Sequence, residues 1–193
     1  MKYLSWVGTC LIWACLHGCA YGATPAHDKV HKAALFIEME RGTCSGTAVA
    51  AHTILTAAHC LASDKLVKVN GWAVKVVSVR DDGEDHALIV VDLTFNHIAR
   101  VARQPPRVGD IVFIWGNPMG FEDLLRYGRV SGYKEGVTLL ELHGWFGDSG
   151  AGVFNEQGQL VGVVSSLAGS PEFHQVGMFP MAFSELQRRE SGL

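Results

Sequence analysis

Apolar residues in this chain fall in short runs, several alternating with polar ones, and glycine-rich breaks separate the runs. Residues 33–39 read as a first strand, ended by a turn at Arg41-Gly42. Residues 46–50 and 52–56 read as two short strands with a tight connection. Residues 65–70 and 72–79 alternate apolar with polar positions, the signature of half-buried antiparallel strands. Residues 81–85 form a charged loop around Gly83, and residues 87–91 a buried strand. Residues 100–110 include Gln104-Pro105-Pro106-Arg107 and have no hydrophobic periodicity; consecutive prolines favour an extended, exposed connection. Beyond it the grammar repeats, with strands at 111–115, 128–133, 137–142, 152–155, 160–167 and 177–182 and turns at Gly116-Asn117-Pro118 and Gln157-Gly158. Helical periodicity is weak everywhere except at 184–189, where a short C-terminal helix fits. Many short strands with glycine-rich turns indicate an all-β sandwich or barrels. The two β-rich halves, at about 33–99 and 111–183, predict two small antiparallel barrels packed together across the linker. Residues 23–32, polar and small, read as a mobile arm.

The first 22 residues break this pattern. Lys2 is their only charge, an apolar run extends from Tyr3 to about Leu16, and Gly18, Cys19, Ala20, Gly22 and Ala23 follow. This is the layout of a secretory signal peptide at 1–22, with the folded domain expected at 23–193. The run, interrupted by Gly8, Thr9 and Cys10, is short for a membrane span. Ala20-Tyr21-Gly22 fits a small-x-small cleavage site. Leu16-His17-Gly18-Cys19 is similar to a bacterial lipobox, which would lipidate Cys19, but His17 is unusual there and simple secretion is favoured. The expected location is outside the cytoplasm of a bacterium, membrane-attached only if Cys19 carries lipid. Of five cysteines, Cys44 and Cys60 alone lie beyond the leader. An isolated pair in an exported chain implies one disulfide; two buried free thiols are the alternative.

A length of 193 residues suits one ordinary domain, and 48% hydrophobic against 18% charged residues marks it as globular. A net charge of −3 without a basic tract argues against nucleic acid as a partner. None of the nine histidines sits in a close metal-ligand spacing, so neither metal nor cofactor is expected.

The chemistry gathers at three places. Gly147-Asp148-Ser149-Gly150 puts a serine between glycines, flanked by strands. Such a turn can hold out a nucleophile with bare N–H groups beside it for an oxyanion; the alternative is a plain solvated turn. Thr56-Ala57-Ala58-His59-Cys60 places an imidazole at a strand end, where it can act as general base near neutral pH. Asp85 immediately precedes the buried strand and can orient an imidazole; Asp81, Asp82 and Asp92 are rivals.

The order His59, Asp85, Ser149, in these contexts, resembles the chymotrypsin/trypsin-like serine protease family. Thr-Ala-Ala-His-Cys with Cys44-Ser45-Gly46 is similar to the family's histidine loop and its disulfide. Asp85-His86-Ala87-Leu88 resembles its Asp-(apolar)-Ala-Leu motif, departing at His86, and Gly-Asp-Ser-Gly is its nucleophile motif. Gly116-Asn117-Pro118-Met119-Gly120, Gly128–Gly132 and 155–163 look like the HtrA-like bacterial branch. The resemblance implies two six-stranded-type barrels, a protein or peptide substrate, and a triad of Ser149 as nucleophile, His59 as base and Asp85 as its orienting acid. It further implies an oxyanion hole from the N–H groups of Gly147 and Ser149, and a role for Ser165 in supporting Asp85. Ser165, Ser166 and Leu167 would pair with substrate backbone, and His143 would form the floor of the specificity pocket, favouring neutral or acidic side chains. No Ile-Val-Gly-Gly activation sequence stands near residue 23, so a zymogen activated by a new N-terminus is disfavoured and the partner of Asp148 is open. A catalytically silent protease fold used for binding is the second reading. An α/β-hydrolase esterase is disfavoured, because Ala151 stands where GxSxG needs glycine and the residue order differs.

Overall fold

The computed structural model describes residues 25–62, 64–169 and 174–180. The leader, Cys19 and the C-terminal helix expected at 184–189 lie outside the described residues.

The first half builds one seven-stranded antiparallel sheet. Its strands are β1 (Ala34–Met39), β2 (Thr43–Ala50), β3 (Thr53–Ala57), β4 (Leu66–Val69), β5 (Trp72–Ala73), β6 (Val76–Asp81) and β7 (His86–Val91). They pair in the order β5-β4-β1-β2-β3-β7-β6. The run at 72–79, read as one strand, is two, and the ladder does not close between β5 and β6, so this half is a half-barrel. The second half closes. β9 (Ile111–Gly116), β10 (Leu124–Lys134), β11 (Val137–Glu141), β14 (His174–Pro180), β13 (Gln159–Gly169) and β12 (Gly152–Asn155) pair in that order, and β12 returns to pair with β9. The proline link contributes the two-residue β8 (Arg100–Val101), paired parallel to the start of β13. The architecture is therefore the expected all-β double barrel.

Alternation decides which faces are buried. β7 places Ala87, Ile89 and Val91 inward at 1% exposure or less, the period of two that a pleated strand imposes. The core of the first half includes Ile37, Ile54, Leu55 and Ile89, all but inaccessible, and continues into Phe113 and Phe154 of the second. Phe113 and Phe154 stack at 5.7 Å between ring centroids. One continuous apolar body spans the seam between the halves, so their relative placement is set by packing as well as by the linker.

The expected mobile arm is instead a docked helix, α1 (Pro25–His31). His27 is buried edge-on against Phe113 at 4.6 Å, Val30 is 2% exposed, and His31 stacks on Trp115 at 4.3 Å. Positions 27, 30 and 31 share one helix face. Two of the three are histidines, so the face does not register as hydrophobic periodicity. A seven-residue helix is too short to persist alone, the practical minimum being about 12 residues; this contact holds it.

Cys44 in β2 and Cys60 after β3 form the expected disulfide. It bridges 16 positions, a loop whose closure is worth about 3 kcal/mol. Replacing both cysteines with alanine should lower the thermal midpoint by roughly 6–12 °C, measured by circular dichroism; an unchanged midpoint would show that the staple is redundant.

Candidate active site

β3 and β7 are neighbours, with Ala57 opposite His86. That register sets the turn after β3 against the residue before β7, so His59 meets Asp85. The turn is a short 3-10 helix (Ala58–Leu61), pinned by the buried Cys60 through its disulfide. Ala58 N–H donates to the Asp85 carbonyl at 3.0 Å. His59 N–H donates to Asp85 Oδ1 at 2.8 Å, and His59 Nδ1 lies 2.9 Å from Oδ2. The carboxylate thus holds the proton on Nδ1 and leaves Nε2 as the basic nitrogen. The Ser165 hydroxyl, from β13 of the other barrel, also donates to Asp85 Oδ2. Burial pushes the Asp85 carboxyl up, but the bonds from Ser165 and His59 outweigh it and hold the group below its ordinary range. Asp85 takes a left-handed backbone, φ 62°, which aspartate tolerates better than most residues.

The rival acids are occupied elsewhere. Asp81 accepts from Gly83 N–H, Asp82 binds the ring of His86, and Asp92 accepts from Lys75 N–H.

Ser149 sits at the seam of the two barrels, half-buried. Its carbonyl accepts from Ser45 N–H at 2.8 Å and lies 3.8 Å from Cys60 Sγ, next to His59. Among the described residues no hydrogen bond joins the Ser149 hydroxyl to the His59 ring. The His59–Asp85 pair is assembled, and Ser149 is tied to the same cluster through its backbone. Unliganded sites often show this looseness.

The loop before Ser149 is fixed from three sides. The Phe146 carbonyl accepts from Met119 N–H at 2.7 Å, and the Gly147 carbonyl accepts from Ser45 Oγ at 2.8 Å. With both flanking carbonyls held, the direction of Gly147 N–H is set. Gly147 has φ 99°, and a Cβ there would run into the Asn117 carbonyl, so only glycine fits. Asn117, 2% exposed, anchors the neighbouring turn by donating to Ser45 Oγ and the Leu35 carbonyl.

The third support answers what Asp148 pairs with. Asp148 is 1% exposed. Arg126 of β10 grips both of its oxygens, one at 2.6 Å, and also donates to the His143 carbonyl at 3.1 Å. Trp145 N–H completes the carboxylate's shell at 2.8 Å. Gly116 leaves the room this pair occupies, since a Cβ there would strike both partners. A cation from within the chain therefore neutralises the buried acid.

Of the expected substrate contacts, Ser166 and Leu167 are exposed on β13, paired to β14 on one side only, since β12 pairs no further than Val163. The His143 side chain is exposed. Arg126 lies in no motif of the sequence, and the motifs that contain Ser45 and Asn117 do not name the partners these two hold. The one grouping of metal-ligating atoms among the described residues is Asp82, Glu84 and His86, mutually within 4.8 Å, and both ring nitrogens of His86 already have protein partners.

Comparison with known proteins now decides the family. The model of the trypsin-like peptidase domain matches residues 44–163. The chain belongs to the trypsin-like peptidase domain family. Its fold is shared with a serine endoprotease from Yersinia pestis, at 19% identity and a TM-score of 0.70 over 86% of this chain and 64% of that one. It is shared with a Glu endopeptidase at 18% identity and a TM-score of 0.68, covering 84% and 92% of the two chains. A Mycobacterium tuberculosis H37Rv protein, solved as an inactive serine-to-alanine mutant, matches at 19% identity and a TM-score of 0.67 over 86% and 89%. The chain thus spans less than two thirds of the Yersinia protein's length. A search of curated proteins finds no significant match.

In this trypsin-like domain the Arg126–Asp148 pair is open to a direct test. Arg126→Leu strands a buried carboxylate and should cost about 3–5 kcal/mol, read from urea unfolding. Arg126→Leu with Asp148→Asn keeps the acceptor for Trp145 N–H without the charge, and should recover most of the loss. Equal losses in the single and double variants would show that the pair is not the source of the stability.

Proposed function

We propose that this protein is an exported serine endopeptidase that cleaves peptide bonds through an acyl-enzyme. The reading is carried by the His59–Asp85–Ser165 hydrogen-bond chain, set beside a serine turn whose Gly147 peptide is locked on both sides.

In this reading His59 Nε2 removes the proton of Ser149 Oγ as that oxygen attacks the scissile carbonyl. The carbonyl becomes an oxyanion and accepts from the N–H groups of Gly147 and Ser149, donors each worth about 2.7–4 kcal/mol in such sites. Asp85 stabilises the imidazolium formed on His59. Collapse of the tetrahedral intermediate expels the amine, which takes the proton from His59 and leaves an ester on Ser149. Water, deprotonated by His59, attacks the ester, and its collapse releases the acid and restores Ser149. Because neighbouring groups already fix the Gly147 peptide and Asp148 already has Arg126, the hole needs no new N-terminus to form it. The free side of β13 at Ser165–Leu167 offers backbone groups to an extended peptide. The disulfide between Cys44 and Cys60 supports export.

A catalytically silent binding module is the second reading, favoured by the missing bond between Ser149 and His59. A fluorophosphonate probe separates the two. The endopeptidase should be labelled, Ser149→Ala should lose labelling, and its kcat should fall by about 10⁶. Folded wild-type protein that stays unlabelled would favour the binding module.

The pocket narrows the substrate class. A Cβ on Gly144 would lie 3.2 Å from Leu167 Cδ2 and 2.5 Å from Val176 Cγ2, and Gly144 and Val176 are both buried. A slot open to a long side chain would expose Gly144 and Val176; of the three, only Leu167, at the rim on β13, is exposed. The residue before the scissile bond should therefore be small and neutral. Cleavage of a mixed peptide library should give alanine-like residues at that position, and Leu167→Gly should admit larger ones. Dominance of Arg or Lys would reject this pocket reading.

A further inference from the structure

His86 is the residue at which the chain departs from the Asp-(apolar)-Ala-Leu pattern, and it is 2% exposed. Its Nδ1 lies 2.7 Å from Asp82 Oδ2 and its Nε2 3.1 Å from the carbonyl of Phe179 in β14. A carbonyl only accepts, and so does an ionised carboxylate. Burial pushes the Asp82 carboxyl up, but hydrogen bonds from Glu84 N–H and from His86 counter it and hold the group below its ordinary range. Asp82 is therefore ionised at neutral pH. Two acceptors require two N–H donors, and a neutral imidazole has one.

The placement of this ring bears on the triad. Asp82 Oδ1 also accepts from Glu84 N–H and His86 N–H, and Asp82 N–H donates to the His86 carbonyl. The loop that carries Asp85 is thus folded around Asp82, and His86 pins that loop to the opposite barrel. Asp85, with its left-handed backbone, lies directly between the loop and the pin.

We propose that His86 is a positioning residue: as an imidazolium donating from both nitrogens, it ties the Asp85 loop to β14 and keeps the Asp85 carboxylate where His59 and Ser165 meet it. The proposal rests on the endopeptidase reading for its catalytic consequence only. The other titratable groups around the ring are Glu84 and Asp85 on its own loop, Asp81 and Arg80 on β6, and His59 beyond β3. Glu84, Asp81 and Arg80 are exposed, and Asp85 is already bonded to His59 and Ser165. Of the acidic groups, Asp82 alone accepts from the ring. With only one N–H on the ring, one of its two bonds would be lost and a part-buried acceptor would face a lone pair, which is costly.

The decisive measurement is a nitrogen-15 and proton spectrum of the imidazole groups in the full chain at pH 7, with His86 assigned by comparison with His86→Leu and Asp82→Asn. The expected result is two protonated nitrogens on His86, one of them lost in Asp82→Asn. A single protonated nitrogen in the wild type would overturn the assignment, whether or not the protein cleaves peptides. Kinetics then test the positioning role. His86→Leu should keep KM within about twofold and lower kcat on the order of tenfold to a hundredfold, in line with the cost of small misplacements in active sites. His86→Arg, which retains a cationic donor, should recover part of kcat. Wild-type kcat in a folded His86→Leu would overturn it. Should that variant not fold, Asp82→Asn carries the same kinetic comparison.

Discussion

A carboxylate at 1% exposure cannot stay charged without a partner, and in this fold the partner of Asp148 is Arg126. An unpaired charge at such a depth costs several kcal/mol. The two-pronged grip on Asp148 fixes more than the acid. Asp148 carries the Trp145 N–H, and Arg126 reaches the His143 carbonyl. One guanidinium thus supports the stretch at 143, 145 and 148, projecting from a strand that the closed barrel holds on both sides. Planar, bidentate geometry is what arginine supplies and lysine does not.

The other organising constraint is the seam. Ser45 serves both barrels: its N–H holds the Ser149 carbonyl, its hydroxyl holds the Gly147 carbonyl and receives Asn117. Thr47 likewise accepts from Gly152 N–H, and Ser165 crosses the other way to Asp85. Each barrel therefore finishes the half of the site that the other one carries. The continuous core through Phe113 and Phe154 makes these crossings reproducible, because close-packed interiors do not slide by small amounts.

Legibility followed distance along the chain. His59, Asp85 and Ser149 sit in motifs of four or five residues, so their types and local contexts show in the sequence alone. Strand positions were equally readable, because burial on one face forces alternation. What stayed hidden depends on partners far away: Ser45 acts on a residue 102 positions on, Asn117 on one 72 positions back, and Arg126 on one 22 ahead. No local pattern distinguishes Arg126 from the other exposed-looking residues of an alternating strand. The helix at 25–31 was hidden for a different reason. Its buried face is built from histidines, which count as polar in any hydrophobic profile yet pack as rings against Phe113 and Trp115. The split of the 72–79 run was missed because its exposed valines, Val77 and Val79, imitate buried positions.

The reach of Ser45 also fixes an order of events. Closing a contact across 102 residues costs chain entropy that must be met before the contact returns anything. The peptide at Gly147 cannot be oriented by Ser45 until both halves have collapsed and met. A nascent or half-folded chain carries the histidine loop, the acid and the serine turn as separate, unaligned pieces. The finished arrangement arrives last, only once the molecule is itself compact.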